Sequence, residues 1–180
     1  GKGADNGILI KNAESLELAK KIDAVVLDKT GTITEGKPKV KAVQWKENNT
    51  SLSGVLASIE KQSEHPLADA VMEYFPDAEI QPVQNFESIT GKGVKATVNK
   101  NTYFVGNKKL LNENSISIAD ELQQYETDWR KHEHTIVWFA SGKEALALLA
   151  ITDQIKPTSV EAIKELQALG IDVHLLTGDN

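Results

Sequence analysis

The residues best suited to chemistry lie in the stretch VVLDKTGTIT, residues 25–34, where an aspartate follows an apolar run. Asp28 supplies a carboxylate, Lys29 a positive charge, and Gly31 a backbone that can turn its N–H groups inward around a phosphate. An aspartate in this position could cap a helix, bind a metal or act as a nucleophile. The neighbouring lysine, glycine and threonines favour a carboxylate that attacks a phosphoryl group beside Mg²⁺, an ion that prefers oxygen ligands.

Strands of a parallel sheet are predicted to position this carboxylate. Residues 22–27 are apolar except for Asp23, which indicates a strand buried on both faces, and Asp28 follows at the carboxyl end, where open α/β sheets bind ligands. A helix over residues 157–169 and a strand over residues 173–176 lead into the sequence TGDN. Together with the earlier apolar run ALALLAI, this order predicts a right-handed parallel crossover.

The pattern changes between residues 41 and 143. Two amphipathic helices are expected first, the second beginning at Pro66, and GVKATVNKNTYFVGN alternates as an antiparallel hairpin does. A polar surface helix over residues 118–132 follows, and then TIVWFA and EALALLA form another hairpin. The predicted fold class is therefore α/β: a Rossmann-like parallel sheet (residues 1–40 and 144–180) interrupted by an inserted α+β domain (residues 41–143) with an antiparallel sheet flanked by helices.

The composition excludes several classes of protein. The chain has 180 residues, of which 40% are hydrophobic, and a net charge of −6, which argues against a nucleic-acid partner because phosphate backbones require a basic face. It contains no cysteine, so disulfides and thiolate metal sites are excluded. No apolar run approaches the roughly 20 residues that cross a bilayer. The chain begins with Gly rather than Met, which suggests a piece of a longer protein.

The segment DKTGT, from Asp28 to Thr32, resembles the phosphorylation signature of P-type ATPases, a branch of the haloacid-dehalogenase superfamily. The resemblance implies a haloacid-dehalogenase-like fold in which Asp28 receives the γ-phosphoryl group of ATP, with Lys29 and Thr30 in the catalytic site. It also implies that the Asp28 carboxylate and the Thr30 carbonyl help to hold Mg²⁺. Phosphatases of the superfamily carry a second aspartate where this chain has Thr30, which cannot act as a general acid or base at neutral pH. The acyl phosphate is therefore expected to persist.

The C-terminal sequence TGDN resembles the second phosphate motif of the same family. Thr177 would bind the transferred phosphoryl group, and Gly178 and Asp179 would lie along the nucleotide phosphates. Asp153 and Lys156, in DQIKP, match a segment that approaches the nucleotide from the side. Taken alone, TGD is a turn after a strand.

The sequence SEHPL resembles an element that marks the heavy-metal branch of P-type ATPases. The resemblance implies that His65 orients the adenine ring and that Glu60, on the preceding helix, accepts a hydrogen bond from the adenine amino group. The structural alternative is a helix that begins at His65 and Pro66 with Ser63 or Glu64 as its cap.

Two glycine-containing segments match further nucleotide contacts of the family. Gly91 and Gly93, in TGKGVKATV, would let the backbone approach the ribose and phosphates, although any loop before a strand can carry such a pair. Gly106 and Asn107, in VGNKKL, match the next contact; their alternative role is a turn that caps the helix starting near Lys108.

The remaining candidates favour structural roles. His132 and His134 flank Glu133, but no third ligand follows at a spacing suited to a metal. The tryptophans are expected to pack in or beside the core.

The predicted function is the ATP-binding and phosphorylation region of a heavy-metal-exporting P-type ATPase, with Cu⁺ as the ion. The family pattern continues with an Asp-rich motif and a lysine that this chain lacks, so the Mg²⁺ site is expected to be incomplete. Expected partners are ATP, the transported ion through a membrane domain, and an actuator domain of the same protein; the region would be the cytoplasmic portion of an integral membrane protein. The alternatives are an ATP-binding module without turnover and a soluble phosphatase, which Thr30 disfavours.

Overall fold

The structure, a computed structural model, describes residues 2–5, 7–9, 12–132 and 134–176. In chain order its helices are α1 (Lys2–Asp5), α2 (Ala13–Ala19), α3 (Ser53–Glu60), α4 (Pro66–Tyr74), α5 (Lys108–Glu113), α6 (Asp120–Lys131) and α7 (Pro157–Ala168). Its strands are β1 (Ala24–Asp28), β2 (Thr34–Trp45), β3 (Val83–Ile89), β4 (Gly93–Val98), β5 (Asn101–Gly106), β6 (Thr135–Ser141), β7 (Ala145–Ile155) and β8 (Asp172–Leu176). Among the described residues, no helix combines the length and apolarity that crossing a bilayer requires.

The chain divides into two compact units. The first, called the discontinuous unit here, comprises residues 1–35 and 155–180, and the second, the inserted unit, comprises residues 36–154. The predicted α/β fold class is confirmed, because the structure contains a parallel sheet and a separate antiparallel sheet.

The discontinuous unit contains the parallel strands β1 and β8, paired from Ala24 opposite Asp172 to Asp28 opposite Leu176. The expectation that the first strand is buried on both faces is wrong, since Val26 retains 64% of its exposure. Among the described residues this sheet has two strands, so its faces offer few neighbouring side chains that could exclude water.

The predicted parallel crossover from the run ALALLAI to the last strand is also wrong. That run belongs to β7, which pairs antiparallel with β6, whereas the parallel partner of β8 is β1. Residues 145–151 are all buried. Their burial arises because β7 lies inside an antiparallel sheet with a hydrophobic core on each face, a case that a sequence run cannot distinguish from a buried parallel strand.

The inserted unit is built on a six-stranded sheet with the order β2-β7-β6-β5-β4-β3. The predicted hairpin between β4 and β5 is confirmed, with the pairs running from Gly93 opposite Gly106 to Val98 opposite Asn101. Its two-residue turn has φ values of 50° and 67° at Asn99 and Lys100. Positive φ at both positions defines a type I′ turn, whose twist matches that of paired strands.

Two hydrophobic cores cover opposite faces of this sheet. Helices α3 and α4 pack on one face, where Leu56 and Ile59 are fully buried. Helices α5 and α6 pack on the other, around Leu111 and Trp138. Neighbouring residues of one strand alternate between the two cores, as Phe104 and Val105 do, because successive side chains of a strand point to opposite faces.

Candidate functional site

Asp28 ends β1, and its side chain is exposed. The five-residue turn Lys29–Ile33 follows directly, and Asp28 forms no side-chain capping hydrogen bond with it. The Asp28 carboxylate therefore does not cap a helix, which was one of the roles that the sequence left open. The position at the carboxyl end of a parallel strand is that at which α/β proteins hold their ligands.

Thr34 fixes the shape of the turn after Asp28. Its hydroxyl accepts a hydrogen bond from the Gly31 N–H and donates one to the Lys29 carbonyl, both at 3.1 Å. Gly31 has φ of 76°, a conformation that glycine adopts without steric cost. Thr34 is 1% exposed, so it holds the turn from inside the unit. Only the position of Thr34 after the DKTGT segment could have indicated this role in advance.

Lys156 also holds the turn. Its ammonium donates to the carbonyls of Gly31 at 2.7 Å and Thr32 at 3.2 Å, and its backbone N–H donates to the carbonyl of Ile33 at 2.9 Å. The resemblance associated Lys156 with the nucleotide, but its direct partners in the structure are backbone atoms of the turn. Asp153 lies in the inserted unit, where its Oδ1 accepts a hydrogen bond from the Lys37 N–H at 3.1 Å.

The second phosphate motif falls outside the described residues. The roles of Thr177, Gly178 and Asp179 therefore remain predictions. Strand β8 ends at Leu176, the register partner of Asp28.

Glu60, the last residue of α3, is a buried carboxyl group in the inserted unit. It is 8% exposed, and burial raises its pKa from the ordinary 4.5 to about 7, because desolvation penalises the charged form. Such a group carries an appreciable fraction of neutral acid at physiological pH.

The raised pKa of Glu60 predicts a pH-dependent stability. The folded chain binds the proton more tightly than the unfolded chain, so the stabilisation is fully present below about pH 4.5 and is lost as the pH rises through about 7. Over this pH range the free energy of unfolding should decrease by about 3 kcal/mol because of Glu60. Urea unfolding across this pH range should show the decline in the unchanged chain and a weaker decline in Glu60→Gln. Parallel curves for the two proteins would contradict the assignment.

His65 is the N-cap of α4. Its Nδ1 accepts a hydrogen bond from the Leu67 N–H at 3.2 Å, and Pro66 occupies the first turn. The Ser63 hydroxyl accepts from the His65 N–H at 3.2 Å, so the cap is His65 itself and neither Ser63 nor Glu64. Because Nδ1 is an acceptor, the proton of the neutral ring lies on Nε2. The exposed ring is thus held in one tautomer and orientation.

Asn107 joins the glycine loop, residues 91–93, to α5. Its side-chain NH₂ donates to the Gly91 carbonyl at 2.9 Å, and its backbone N–H donates to the Lys92 carbonyl at 2.8 Å. Its Oδ1 caps α5 by accepting from the Leu110 N–H at 3.1 Å. The two segments that the sequence presented as separate motifs are therefore joined by hydrogen bonds in the fold.

Gly93 and Gly106 lie opposite each other where β4 pairs with β5. A Cβ on Gly93 would lie 2.1 Å from the Val105 carbonyl oxygen, and one on Gly106 would lie 2.1 Å from the Lys92 carbonyl oxygen. Both glycines are therefore required by the close approach of the backbones themselves. A Cβ on Gly91, by contrast, would meet nothing within 4 Å.

Mg²⁺ is the metal that the sequence implies. Asp28 and the Thr30 carbonyl offer oxygen donors of the kind that Mg²⁺ prefers, and so fit the ion as part of a ligand set. Within residues 2–5, 7–9, 12–132 and 134–176, no three His, Cys, Asp or Glu side chains form a group that could hold a metal. Glu133 lies outside the described residues, and the rings of His132 and His134 are 6.4 Å apart.

The parallel strand pair ends in an exposed aspartate that forms no capping hydrogen bond, and this arrangement agrees with the protein family that the chain matches. Residues 22–180 match the haloacid dehalogenase-like hydrolase family. The chain belongs to this family.

The more specific resemblance to heavy-metal P-type ATPases is confirmed by similar proteins. The chain is 41% identical to a copper-exporting P-type ATPase of Staphylococcus epidermidis and 40% identical to a probable copper-importing P-type ATPase of Enterococcus hirae. Both matches include 100% of this chain but only 22% and 24% of those proteins. The chain thus spans about a quarter of the length of these curated relatives.

A solved structure shows the same fold. The catalytic domain of the CPx-ATPase CopB-B, studied for conformational changes upon nucleotide binding, superimposes with a TM-score of 0.71 and 26% identity. The match covers 99% of this chain and 62% of that domain.

Proposed function

We propose that the chain is the ATP-binding and phosphorylation region of a heavy-metal-exporting P-type ATPase that transports Cu⁺. The observation that carries the proposal is Asp28, exposed and uncapped at the carboxyl end of β1, ahead of a turn held by Thr34 and Lys156. The names of the relatives support copper as the ion, and they include both an exporter and an importer.

The proposed reaction is an in-line phosphoryl transfer from ATP to Asp28. A carboxylate oxygen forms a bond to the γ-phosphorus while the bond to the bridging oxygen breaks and ADP leaves. Lys29 contributes positive charge beside the nucleophile, and Thr177 binds the transferred group. Mg²⁺, when bound, would neutralise charge on the phosphates. Because Thr30 cannot activate water, the anhydride persists and can drive a conformational cycle.

The inserted unit is proposed to bind the nucleotide. His65 presents an oriented ring to the adenine, and Glu60 accepts a hydrogen bond from the adenine amino group. The glycine loop, tied to α5 by Asn107, approaches the ribose and phosphates, with Gly91 providing the open surface. Gly178 and Asp179 are proposed to contact the nucleotide phosphates.

Calorimetry of ATP binding to the 180-residue chain tests the nucleotide site. His65→Ala should weaken binding at least about tenfold, because it removes a ring that is oriented before the ligand arrives. His65→Asn separates the two roles of this residue, since asparagine can still cap α4 but cannot offer an aromatic ring. It should fold like the unchanged chain and bind ATP as weakly as His65→Ala.

The exposed histidine at the end of α6 provides the control. His132→Ala should leave the affinity unchanged. Equal ATP affinity in the unchanged chain and in His65→Asn would refute the proposed role of His65. If the unchanged chain shows no saturable binding of ATP, the proposed function is refuted.

A second candidate is an ATP-binding module without turnover. It differs from the first candidate at the Mg²⁺ site, for which Asp28 and the Thr30 carbonyl are the ligands proposed from this chain. Positioned charge provides most of the catalysis in phosphoryl transfer, so an incomplete set predicts binding with little hydrolysis. Steady release of phosphate from ATP by the 180-residue chain would exclude this candidate.

The location of the region and its partners are also proposed. The region is proposed to be the cytoplasmic portion of an integral membrane protein. Its partners would be a membrane domain that carries the ion and an actuator domain that removes the phosphate from Asp28.

A further inference from the structure

Helix α6 carries a buried acid that no step above uses. Most of its side chains are exposed, but Glu126 is 4% exposed. Its Oε2 accepts a hydrogen bond from the Lys108 ammonium at 2.5 Å, and its Oε1 accepts from Arg130 Nε at 3.1 Å. A carboxylate buried this far requires such partners, because an unpaired charge away from water is strongly unfavourable.

The two partners of Glu126 differ in where they lie. Arg130 is one turn along the same helix, so its contact with Glu126 does not connect α6 to another element. Lys108 is the first residue of α5, on a separate element. The contact between Glu126 and Lys108 therefore fixes the beginning of α5 relative to α6.

The residue before Lys108 is Asn107, which binds the glycine loop through the carbonyls of Gly91 and Lys92. The far end of α5 is tied to the same loop, because the Lys92 ammonium donates to Glu113 at 2.6 Å. The loop is thus attached to α5 at both of its ends. A contact that fixes the position of α5 therefore also fixes the position of the glycine loop.

We propose that Glu126 is a positioning residue of the nucleotide site, which acts through Lys108 and Asn107 on the glycine loop. The inference rests on the proposed function, in which this loop approaches the ribose and phosphates. Glu126 does not touch the nucleotide. It sets the place of the first turn of α5, and so the direction of the Asn107 side chain.

A double-mutant cycle on the affinity for MgATP tests the proposal, with calorimetry on the 180-residue chain. Glu126→Gln and Asn107→Ala should each weaken binding by about fivefold or more, which is the usual size of coupling within one hydrogen-bond network. The double variant should bind about as weakly as Asn107→Ala alone, since Glu126 acts through Asn107. Losses that multiply, or an unchanged affinity in Glu126→Gln, would overturn the proposal and leave Glu126 a purely structural residue.

Another ion pair of the inserted unit gives a matched control. Lys46 and Glu144 are also 2.5 Å apart, and neither residue belongs to α5 or to the glycine loop. Glu144→Gln should leave the MgATP affinity unchanged. If Glu126→Gln does not fold, Lys108→Met replaces it, because Arg130 still pairs with Glu126 in that variant.

A measurement without nucleotide separates this inference from the proposed function. The side-chain NH₂ signals of Asn107 in a nitrogen-15 NMR spectrum should shift in Glu126→Gln and stay in place in Glu144→Gln. If the unchanged chain binds no ATP, the proposed function fails while these signals still test the connection from Glu126 to Asn107. Unshifted Asn107 signals in a folded Glu126→Gln chain would refute the connection itself.

Discussion

Asp28→Asn is expected to abolish the phosphoenzyme formed from ATP by the full-length protein. The amide has nearly the shape of the carboxylate but cannot form an anhydride with phosphate, so labelling should fall by at least about a thousandfold. The fold should be unaffected, because the Asp28 side chain is exposed and makes no capping hydrogen bond. The measurement is the transfer of labelled phosphate from ATP, with hydroxylamine sensitivity to identify an acyl phosphate.

Asp23→Asn is the matched control for this variant. Asp23 is exposed, lies immediately before β1 in the same unit, and accepts the Asp172 N–H through its backbone carbonyl, which the substitution retains. Its labelling should equal that of the unchanged protein. Label that persists in Asp28→Asn, or that resides on serine, threonine or histidine, would show that Asp28 is not the acceptor.

Gly93→Ala is expected to cost about 3 kcal/mol or more of unfolding free energy. Its φ of 140° is a conformation that side chains rarely adopt, and the added Cβ would lie 2.1 Å from the Val105 carbonyl oxygen and 2.5 Å from the Gly106 Cα. Neither backbone atom can move without separating β4 from β5. The melting temperature should therefore fall by roughly 6–12 °C for a chain of this size.

Gly91→Ala supplies the comparison, because its φ of 70° is also positive but the added Cβ would meet nothing within 4 Å. The cost there is that of the left-handed backbone alone, about 1 kcal/mol. Thermal unfolding of the two variants in parallel checks the difference. Equal losses at positions 91 and 93 would mean that close backbone approach is not the reason for glycine at 93.

Local patterns predicted those parts of the fold whose cause lies within a few residues. Pro66 marks the start of α4, and the apolar spacing around Leu56 marks α3. At the turn of Asn99 and Lys100, Asn99 is a residue type that tolerates positive φ. In each case the hydrogen bonds that define the element join residues close in sequence, so the pattern contains the information.

The environment of β7 could not be predicted in this way. Residues 145–151 read equally well as a parallel or an antiparallel strand, because both environments bury every side chain when both faces are covered. The choice depends on the partner strand, β6, and on cores contributed by helices far along the chain. The exposure of Val26 has the same origin, since burial is a property of the neighbours.

The sequence by itself determined the family resemblance, the candidate nucleophile Asp28 and the elements with short-range causes. Only the tertiary structure decided that Lys156 binds the turn after Asp28 and that Glu126 is connected to the glycine loop through Lys108. The physical reason is that such contacts depend on distances between groups up to 125 residues apart in the chain, and these are set by the packing of whole elements.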